Sequence, residues 1–219
     1  MISTSLTSEH VELPDGRLAY PYPFRGEQVL IRDDAMSMIT AVKALTDDDM
    51  TQEERQDQFV GSFFADPAGA LTSCDYDPRT FAELVNQAVW DVCGVDLDGN
   101  HEHDEPLWDM DEDADLIRVS FRTAYGIDWD RARNMVTFAE FCTMCACAPY
   151  ETPLGRAIHF RDRRTRPKPT KHNKQEVAAW DKAHAACRLG KKRSRTGGMQ
   201  QKNAAMNDVF SALKQAAMR

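Results

Sequence analysis

Three cysteines at short spacing form the cluster in this chain that most resembles a metal-binding site. Cys142, Cys145 and Cys147 lie within one apolar run, and thiolates at such spacing bind zinc or iron–sulfur centres. A closed zinc site needs four ligands, usually in two separated pairs, whereas a helix here places only Cys142 and Cys145 on one face. Because free cysteine is often buried as a small apolar residue, we expect packing and no metal at this run.

An acidic loop, residues 96–105, is the second candidate for a cation site. Counted from Asp96, its glycine falls at position 4 and Leu107 at position 12. A calcium-binding EF-hand loop has its glycine at position 6 and a bidentate glutamate at position 12. Both the bend and the bidentate carboxylate are therefore missing, and we expect a solvated acidic loop.

The sequence does not contain a recognisable catalytic motif. It has no glycine-rich phosphate loop, nucleophile elbow or zinc-protease helix. Its histidines are scattered, and its carboxylates are too numerous on predicted surfaces to single out an acid and a base. Since no set of residues combines a nucleophile, a base and a stabiliser, we expect a protein that is not an enzyme and that uses no cofactor.

The charge of the chain changes sign along its length. Residues 156–219 contain 17 Lys or Arg and 4 Asp or Glu, a net charge of +13, whereas residues 1–155 contain 10 basic and 31 acidic residues, a net charge of −21. Such asymmetry indicates an interaction surface. The candidate partner-binding residues are basic side chains of this end and two apolar residues near the carboxyl terminus: Arg161, Arg163, Arg164, Arg166, Lys168, Lys171, Lys191, Lys192, Arg193, Phe210 and Leu213.

The basic end fits two kinds of partner. Its lysines and arginines could neutralise phosphates, in which case affinity would fall steeply with salt. Aromatic residues are sparse there, with Phe160 and Trp180 nearby, so few side chains could stack on single-stranded bases. We therefore favour contact with an acidic protein surface, including the body of a second copy, over contact with nucleic acid.

Neither a membrane span nor a secretory signal is readable in the sequence. Charges interrupt every apolar stretch well before the ~20 residues that a spanning helix needs. The amino terminus lacks both a basic start and an apolar middle. We expect a cytoplasmic protein whose six cysteines are free thiols.

The first half of the chain is predicted to form a small hairpin and three helices. Turn residues separate an alternating segment, residues 18–24, from a second strand-like segment, residues 28–31. Asp33 is predicted to cap a first helix that ends near Thr46, and Thr51 with Glu54 forms a capping box for the next. The third helix starts at Asp77 and Pro78 and ends at Gly94, with one apolar stripe: Phe81, Leu84, Val85, Ala88, Val89 and Val92.

The second half is predicted to contain five helices. Three have approximate bounds of 111–125, 135–147 and 152–161, and the first of these carries Ile117, Phe121 and Ala124 on one side. Two prolines, Pro167 and Pro169, then indicate a stiff, extended, positive connector. Helices over 173–189 and 200–218 follow, separated by a basic, glycine-containing linker.

These elements together predict a mainly α fold. We expect a helical body with a small amino-terminal β-hairpin and a basic helical carboxyl-terminal extension. The predicted division places an acidic body at residues 1–165 and a basic arm with one or two helices and a Gly-rich linker at residues 166–219.

One run of residues carries a family resemblance. The run DADLIRVSFRTAYGIDW, residues 113–129, resembles the gene-product-fifteen family of long-tailed bacteriophages. An apolar helix, a short turn and helix, and a basic step follow in the same order as in that family, and the likeness spans roughly residues 15–190. The family's paired tryptophans are replaced by Thr137 and Phe138, and residues 191–219 have no counterpart. The motif residues are Asp115, Leu116, Ile117, Phe121, Tyr125, Gly126, Ile127 and Asp128.

The resemblance implies a role in phage tail assembly. Family members resemble tail-assembly chaperones, which keep the tape-measure protein soluble while tail-tube subunits are recruited. The implied partners are therefore the tape-measure protein, the tail-tube protein and a second copy of the chain, in the cytoplasm of the infected host. Two alternatives stay open: a nucleic-acid-binding accessory protein that uses the basic arm, and a structural tail or connector component of the virion.

Overall fold

The computed structural model describes residues 9–47, 49–94 and 106–190. Their backbone divides into two units, one formed by the described residues up to 94 together with 133–141, the other by 106–132 together with 142–190. We call these unit 1 and unit 2. The strands are β1 (Val11–Glu12), β2 (Leu18–Phe24) and β3 (Glu27–Arg32). The helices are α1 (Ala35–Thr46), α2 (Gln52–Phe63), α3 (Pro67–Thr72), α4 (Pro78–Cys93), α5 (Ala114–Tyr125), α6 (Trp129–Ala132), α7 (Phe138–Ala146), α8 (Pro153–Arg161) and α9 (Lys174–Cys187), with a 3-10 turn at Arg163–Thr165.

Unit 1 opens with an antiparallel sheet in the order β1-β2-β3. The predicted hairpin is confirmed, with Tyr22 opposite Val29 and Phe24 opposite Glu27, and Gly26 takes a positive φ at its turn. The two-residue strand β1 adds a third strand that the sequence did not predict. Tyr22 is buried and its hydroxyl donates to Asp91 of α4 at 2.7 Å, which joins the sheet to the helices behind it.

The start of α1 corrects one prediction. The capping residue is Asp34, whose carboxylate accepts the Ser37 N–H at 2.9 Å, and not Asp33. Asp33 is instead fully buried and pairs with His10 at 2.7 Å. Two adjacent aspartates compete for the same cap, and only the backbone direction decides which carboxylate reaches the helix amides.

The signals for α2 and α4 are confirmed. Thr51 and Glu54 form a reciprocal capping box at α2, and Asp77 caps α4 before Gly94 ends it in the left-handed conformation. The predicted apolar stripe of α4 is buried. Its Phe81 ring joins three phenylalanine rings from α2 and its end, and the four rings form much of the unit 1 core: Phe59, Phe63, Phe64 and Phe81. Helix α3 repeats the Asp-Pro start signal with Asp66 and Pro67 but was not predicted.

Helix α7 begins at Phe138, not at the predicted Met135. Thr137 and Glu140 form a reciprocal pair in which each side chain accepts the other's backbone N–H, at 2.9 and 3.2 Å. The Thr-x-x-Glu spacing was therefore the true start signal. Phe138 and Phe141 are buried in unit 1, and Met135 is the most exposed of the large apolar side chains described, at 74%.

Unit 2 is built from α5, α6, α8, α9 and the end of α7. Helix α5 starts at Ala114, three residues later than predicted, because residues up to Asp113 form turns. Helix α8 is confirmed, with Thr152 accepting the Gly155 N–H at 3.1 Å. Residues 166–173 have no helix, as the two prolines indicated. Ala124, predicted on the buried side of α5, is exposed.

The mainly α fold class with a small amino-terminal sheet is confirmed. The first predicted helix of the basic arm exists as α9, while the linker and the helix predicted at 200–218 lie outside the described residues. The division into a body at 1–165 and an arm at 166–219 stays a prediction about charge. By backbone packing, residues 166–190 belong with α5 and α8 in unit 2.

Candidate protein-binding surface

The interior residues of the family motif join α5 to α8. Ile117 and Phe121 are buried, and the Phe121 ring meets the edge of the Trp129 ring at 5.9 Å. Ser120, which lies between them, is also buried, and its hydroxyl oxygen accepts the Leu154 N–H at 3.0 Å. Because the first amides of a helix have no partner within it, this bond satisfies one of the orphan donors of α8.

The last residues of the motif end α5 and contact the end of α7. Gly126 ends α5 with φ 67°, and the Ile127 N–H, which follows it, donates back to the Phe121 carbonyl at 3.2 Å. The Tyr125 hydroxyl donates to two carbonyls at the end of α7, that of Met144 at 3.2 Å and that of Cys147, which follows the helix, at 3.4 Å. Burial, with the two nearby cysteines, raises the pKa of Tyr125.

The remaining motif residues lie at or near the surface. Asp115 is exposed and pairs with Arg118 one turn later at 3.5 Å, and Leu116 is half-buried. Asp128 pairs with Arg122 at 3.4 Å, and its carboxylate accepts the Asp130 N–H at 3.2 Å. The motif is thus mainly a structural framework, and its outward side chains are few.

Arg161 is predicted to bind a partner, but its side chain is nearly buried and makes its bonds within unit 2. Its guanidinium makes a bidentate pair with Asp113 at 2.6 and 2.8 Å, and the exposed fractions of the two side chains are 9% and 2%. It also donates to the carbonyls of Leu107 at 3.0 Å and Cys187 at 2.5 Å. This one side chain ties the segment before α5 to the ends of α8 and α9, so it corrects the prediction of a partner contact.

The pairing of Asp113 with Arg161 was missed from the sequence. The two residues are 48 positions apart, and each belongs to a charge-rich run in which no position differs visibly from its neighbours. The sequence marks both residues only indirectly. Asp113 is the first residue of the family motif, and Arg161 is the last residue of a predicted helix.

The other basic candidates lie on the surface. Arg163, Arg164, Lys168 and Lys171 are exposed, and Arg164 pairs with Asp162 at 2.9 Å. Residues 163–174 contain six Lys or Arg and no Asp or Glu. Among the described residues, no carboxylate pairs with Lys168 or Lys171 within 4.0 Å. We call residues 163–174 the basic segment, and it is the main positive surface that the structure describes.

Arg166 anchors the basic segment to α9. It makes a bidentate pair with Asp181 at 2.8 and 2.9 Å, and this pair lowers the pKa of Asp181. Helix α9 itself packs on α8 through Trp180, whose ring stacks on His184 and meets the edge of the Phe160 ring. The indole N–H of Trp180 donates to the Thr165 hydroxyl at 3.3 Å, so the start of the connector between α8 and α9 is held against α9.

Two of the three cysteines of the first motif, Cys142 and Cys145, are packing residues. Cys145 is buried, Cys142 is half-buried and Cys147 is exposed. Burial raises the pKa of Cys142 to about 12 and raises that of Cys145 as well, so both are neutral thiols at pH 7. All six cysteines are free. Within the described ranges, no group of three or more His, Cys, Asp or Glu side chains is placed to hold a metal ion.

Unit 2 also carries two exposed tyrosines near the end of α7 that the sequence did not single out as exposed. Tyr125 contacts the Cys147 carbonyl, Pro149 and Cys147 are exposed, and Tyr150 follows with 53% of its surface exposed. The Tyr150 ring meets the edge of the His159 ring at 5.0 Å. We call Tyr125, Cys147, Pro149 and Tyr150 the tyrosine patch.

Several predicted positions lie outside the described residues. They are the acidic loop 96–105 and the partner-binding candidates of the last 29 residues: Lys191, Lys192, Arg193, Phe210 and Leu213. In the part of the chain that is described, every helix is too short or too polar to cross a membrane.

Comparison with known proteins agrees with the resemblance carried by α5 and the segments after it. Neither curated proteins nor solved structures gave a match to this chain. The family described as bacteriophage Gp15 protein matches residues 16–185, a range that includes strands β2 and β3, helices α1 to α8, the basic segment and most of α9. The chain therefore belongs to the bacteriophage Gp15 protein family.

Proposed function

We propose that this phage protein is a tail-assembly chaperone that acts without catalysis in the cytoplasm of the infected host. In this proposal it binds the tape-measure protein and keeps it soluble while tail-tube subunits are recruited. Membership of the bacteriophage Gp15 protein family supports a phage role. The assembly step and the two partners are the proposal.

The tyrosine patch is the observation that carries the proposed client contact. Aromatic side chains are enriched where proteins bind each other, because they bury a large area at a small cost in conformational entropy. Tyr125 and Tyr150 expose 37% and 53% of their surfaces on the unit that holds the family motif. A long helical client offers apolar stripes that such a patch would cover.

Co-expression with the tape-measure protein of the same phage tests this function. We expect the tape-measure protein to stay in the soluble fraction and to co-purify with the chain. Tyr150→Ser should reduce the yield of the complex severalfold, because it removes a central aromatic contact. Tyr76→Ser is the matched control, since Tyr76 is a tyrosine of unit 1 with 49% exposure. Failure of the wild-type chain to co-purify with the tape-measure protein or to improve its solubility would sink the proposal.

The basic segment favours one other function, that of a nucleic-acid-binding accessory protein. Six cations without an intervening carboxylate would neutralise phosphates and give a steep salt dependence. Titration of duplex DNA at several salt concentrations separates the two functions: a salt slope of several units that disappears when the basic segment is neutralised would favour nucleic acid. Detection of the chain in purified virions would instead favour a structural tail or connector component.

A further inference from the structure

The sheet of unit 1 has two edges, and the chain covers only one of them along its whole length. At the β3 edge, the Ala65 N–H donates to the Leu30 carbonyl at 2.9 Å. At the other edge, β1 pairs only with residues 18 and 19 of β2. In the part of the chain that is described, no strand therefore lies opposite residues 20–24 on that side. We call the side of β2 that faces away from β3 the outer edge.

Successive residues of β2 direct their backbone groups to opposite sides of the strand. The Asp33 N–H donates to the Leu18 carbonyl at 2.9 Å, so Leu18 faces β3. Because the pattern of an antiparallel pair alternates, the even-numbered residues that follow Leu18 face β3 as well. The odd-numbered residues of β2 therefore face the outer edge: Ala19, Pro21 and Pro23.

The first of the two prolines explains why β1 is so short. Val11 of β1 lies opposite Ala19, so the next pair along the outer edge would be Glu9 with Pro21. Such a pair needs one N–H from each residue, and proline has none. Glu9 and His10 accordingly belong to no strand, and β1 ends at Val11.

The second proline removes the following donor from the same edge. Pro23 is exposed, and Tyr20 and Pro21 are half-buried, so this edge lies near the surface. An open strand edge is a template on which a strand of another molecule can pair. A strand that approached residues 20–24 would find carbonyl groups but no N–H groups, and two of its own carbonyls would lack donors.

We propose that Pro21 and Pro23 block the outer edge of β2, so that a strand of a second copy cannot extend the sheet. The other residues of this edge offer no such protection, because tyrosine and phenylalanine favour strands. The block belongs to unit 1, is separate from the tyrosine patch of unit 2 and does not depend on the proposed chaperone function.

Restoring the two N–H groups tests the block. The double variant Pro21→Thr with Pro23→Thr supplies both donors through a residue that favours strands. In multi-angle light scattering, we expect its mass to rise by about twofold or more over that of the wild type at the same concentration. In hydrogen exchange, the new amides of residues 21 and 23 should exchange about tenfold or more slowly than in a free coil.

Gln28→Thr is the matched control. Gln28 is exposed and lies directly opposite Pro23 on β3, so this variant adds threonine to the same face and leaves the outer edge unchanged. Its mass should equal that of the wild type. Protected α4 amides in both variants would establish that unit 1 stays folded. If the double variant unfolds, Pro21→Thr and Pro23→Thr are measured singly, and each should give a smaller rise in mass.

Three outcomes would overturn the proposal. An unchanged mass with coil-like exchange at residues 21 and 23 would show that the edge accepts no strand even when its donors are present. An unchanged mass with slow exchange there would show that the same chain fills the edge. An equal rise in mass for Gln28→Thr would assign the association to the added threonine and not to the restored N–H groups.

Discussion

Two arginines in unit 2 show how burial affects the contribution of an ion pair to stability. Arg161 and Arg166 each make a bidentate pair with an aspartate. The side chains of the first pair are 9% and 2% exposed and those of the second 39% and 48%. Water screens the second pair, whereas the loss of Arg161 leaves Asp113 buried without its cation.

We therefore expect Arg161→Met to lower the free energy of unfolding by about 3–5 kcal/mol. Arg166→Met should leave the denaturation midpoint nearly unchanged. Urea denaturation followed by circular dichroism measures both variants. Similar losses in the two variants would contradict the claim that burial makes the difference.

A second residue-scale prediction concerns the buried carboxylate of Asp33. Burial raises the pKa of Asp33 to about 6, although His10 opposes the shift; Glu140 and Asp34 raise the pKa further. The folded protein then binds a proton more tightly than the unfolded chain, whose aspartate pKa is near 3.9. The stability that this proton contributes is complete below about pH 4 and disappears as the pH rises through about 6.

Asp33→Asn should remove this dependence, because the amide does not titrate. The measurement is thermal unfolding between pH 4 and pH 7. Glu27→Gln, a substitution at an exposed carboxylate, is the control. We expect the melting temperature of the wild type, relative to that of Asp33→Asn, to fall across this range. A constant difference between the two would show that Asp33 does not titrate there.

At the scale of elements, two helical glycines differ in what surrounds them. A Cβ added at Gly155, in the first turn of α8, would lie 2.0 Å from the Pro149 carbonyl oxygen and 2.6 Å from that of Ala148. A Cβ added at Gly61, in α2, would meet nothing within 4 Å. The close approach of α8 to the segment after α7 therefore requires glycine, whereas α2 does not.

The same substitution should have opposite effects at the two sites. Gly155→Ala is expected to destabilise the protein by about 1–3 kcal/mol or more, because backbone atoms must move. Gly61→Ala should stabilise it by about 0.5–1 kcal/mol, because alanine restricts the unfolded chain and favours helix. Denaturant midpoints measure both changes, and a stable Gly155→Ala variant would contradict the close approach described here.

At the scale of the whole molecule, opposite charges are separated along the chain. Residues 1–155 carry −21 and residues 156–219 carry +13, and the basic segment displays part of this positive charge on unit 2. Association through such a surface weakens with salt, because the screening length falls from about 10 Å at 0.1 M to about 3 Å at 1 M.

Under the proposed function, we expect the binding of a tail-tube subunit to the basic segment to weaken as sodium chloride rises. The double variant Lys168→Gln with Lys171→Gln should bind more weakly at low salt and respond less to salt. Lys43→Gln with Arg79→Gln changes the net charge equally on unit 1 and serves as the control. Surface plasmon resonance at several salt concentrations measures this, and equal effects of the two variants would implicate net charge instead of the basic segment.

Local signals in the sequence were enough for most elements. Thr51 with Glu54, Asp77 with Pro78, Gly94 and Gly126 each act through backbone groups within a few residues, so their positions predicted where helices start and end. The same chemistry is present at Asp66 with Pro67 and at Thr137 with Glu140, where α3 and α7 begin. The family motif, residues 113–129, was likewise recognisable without any structure.

Tertiary structure alone decided what the chemically distinctive residues do. Asp33 and Asp34 are neighbours of the same type, yet one is buried against His10 and the other caps α1. Arg161 and Arg166 belong to one basic run, yet only Arg161 is internal. The sequence by itself determined most of the helices, the charge asymmetry and the family, because those depend on local periodicity and composition. The pairing of residues 48 positions apart and the exposure of Tyr150 depend on how distant helices pack, which local spacing does not encode.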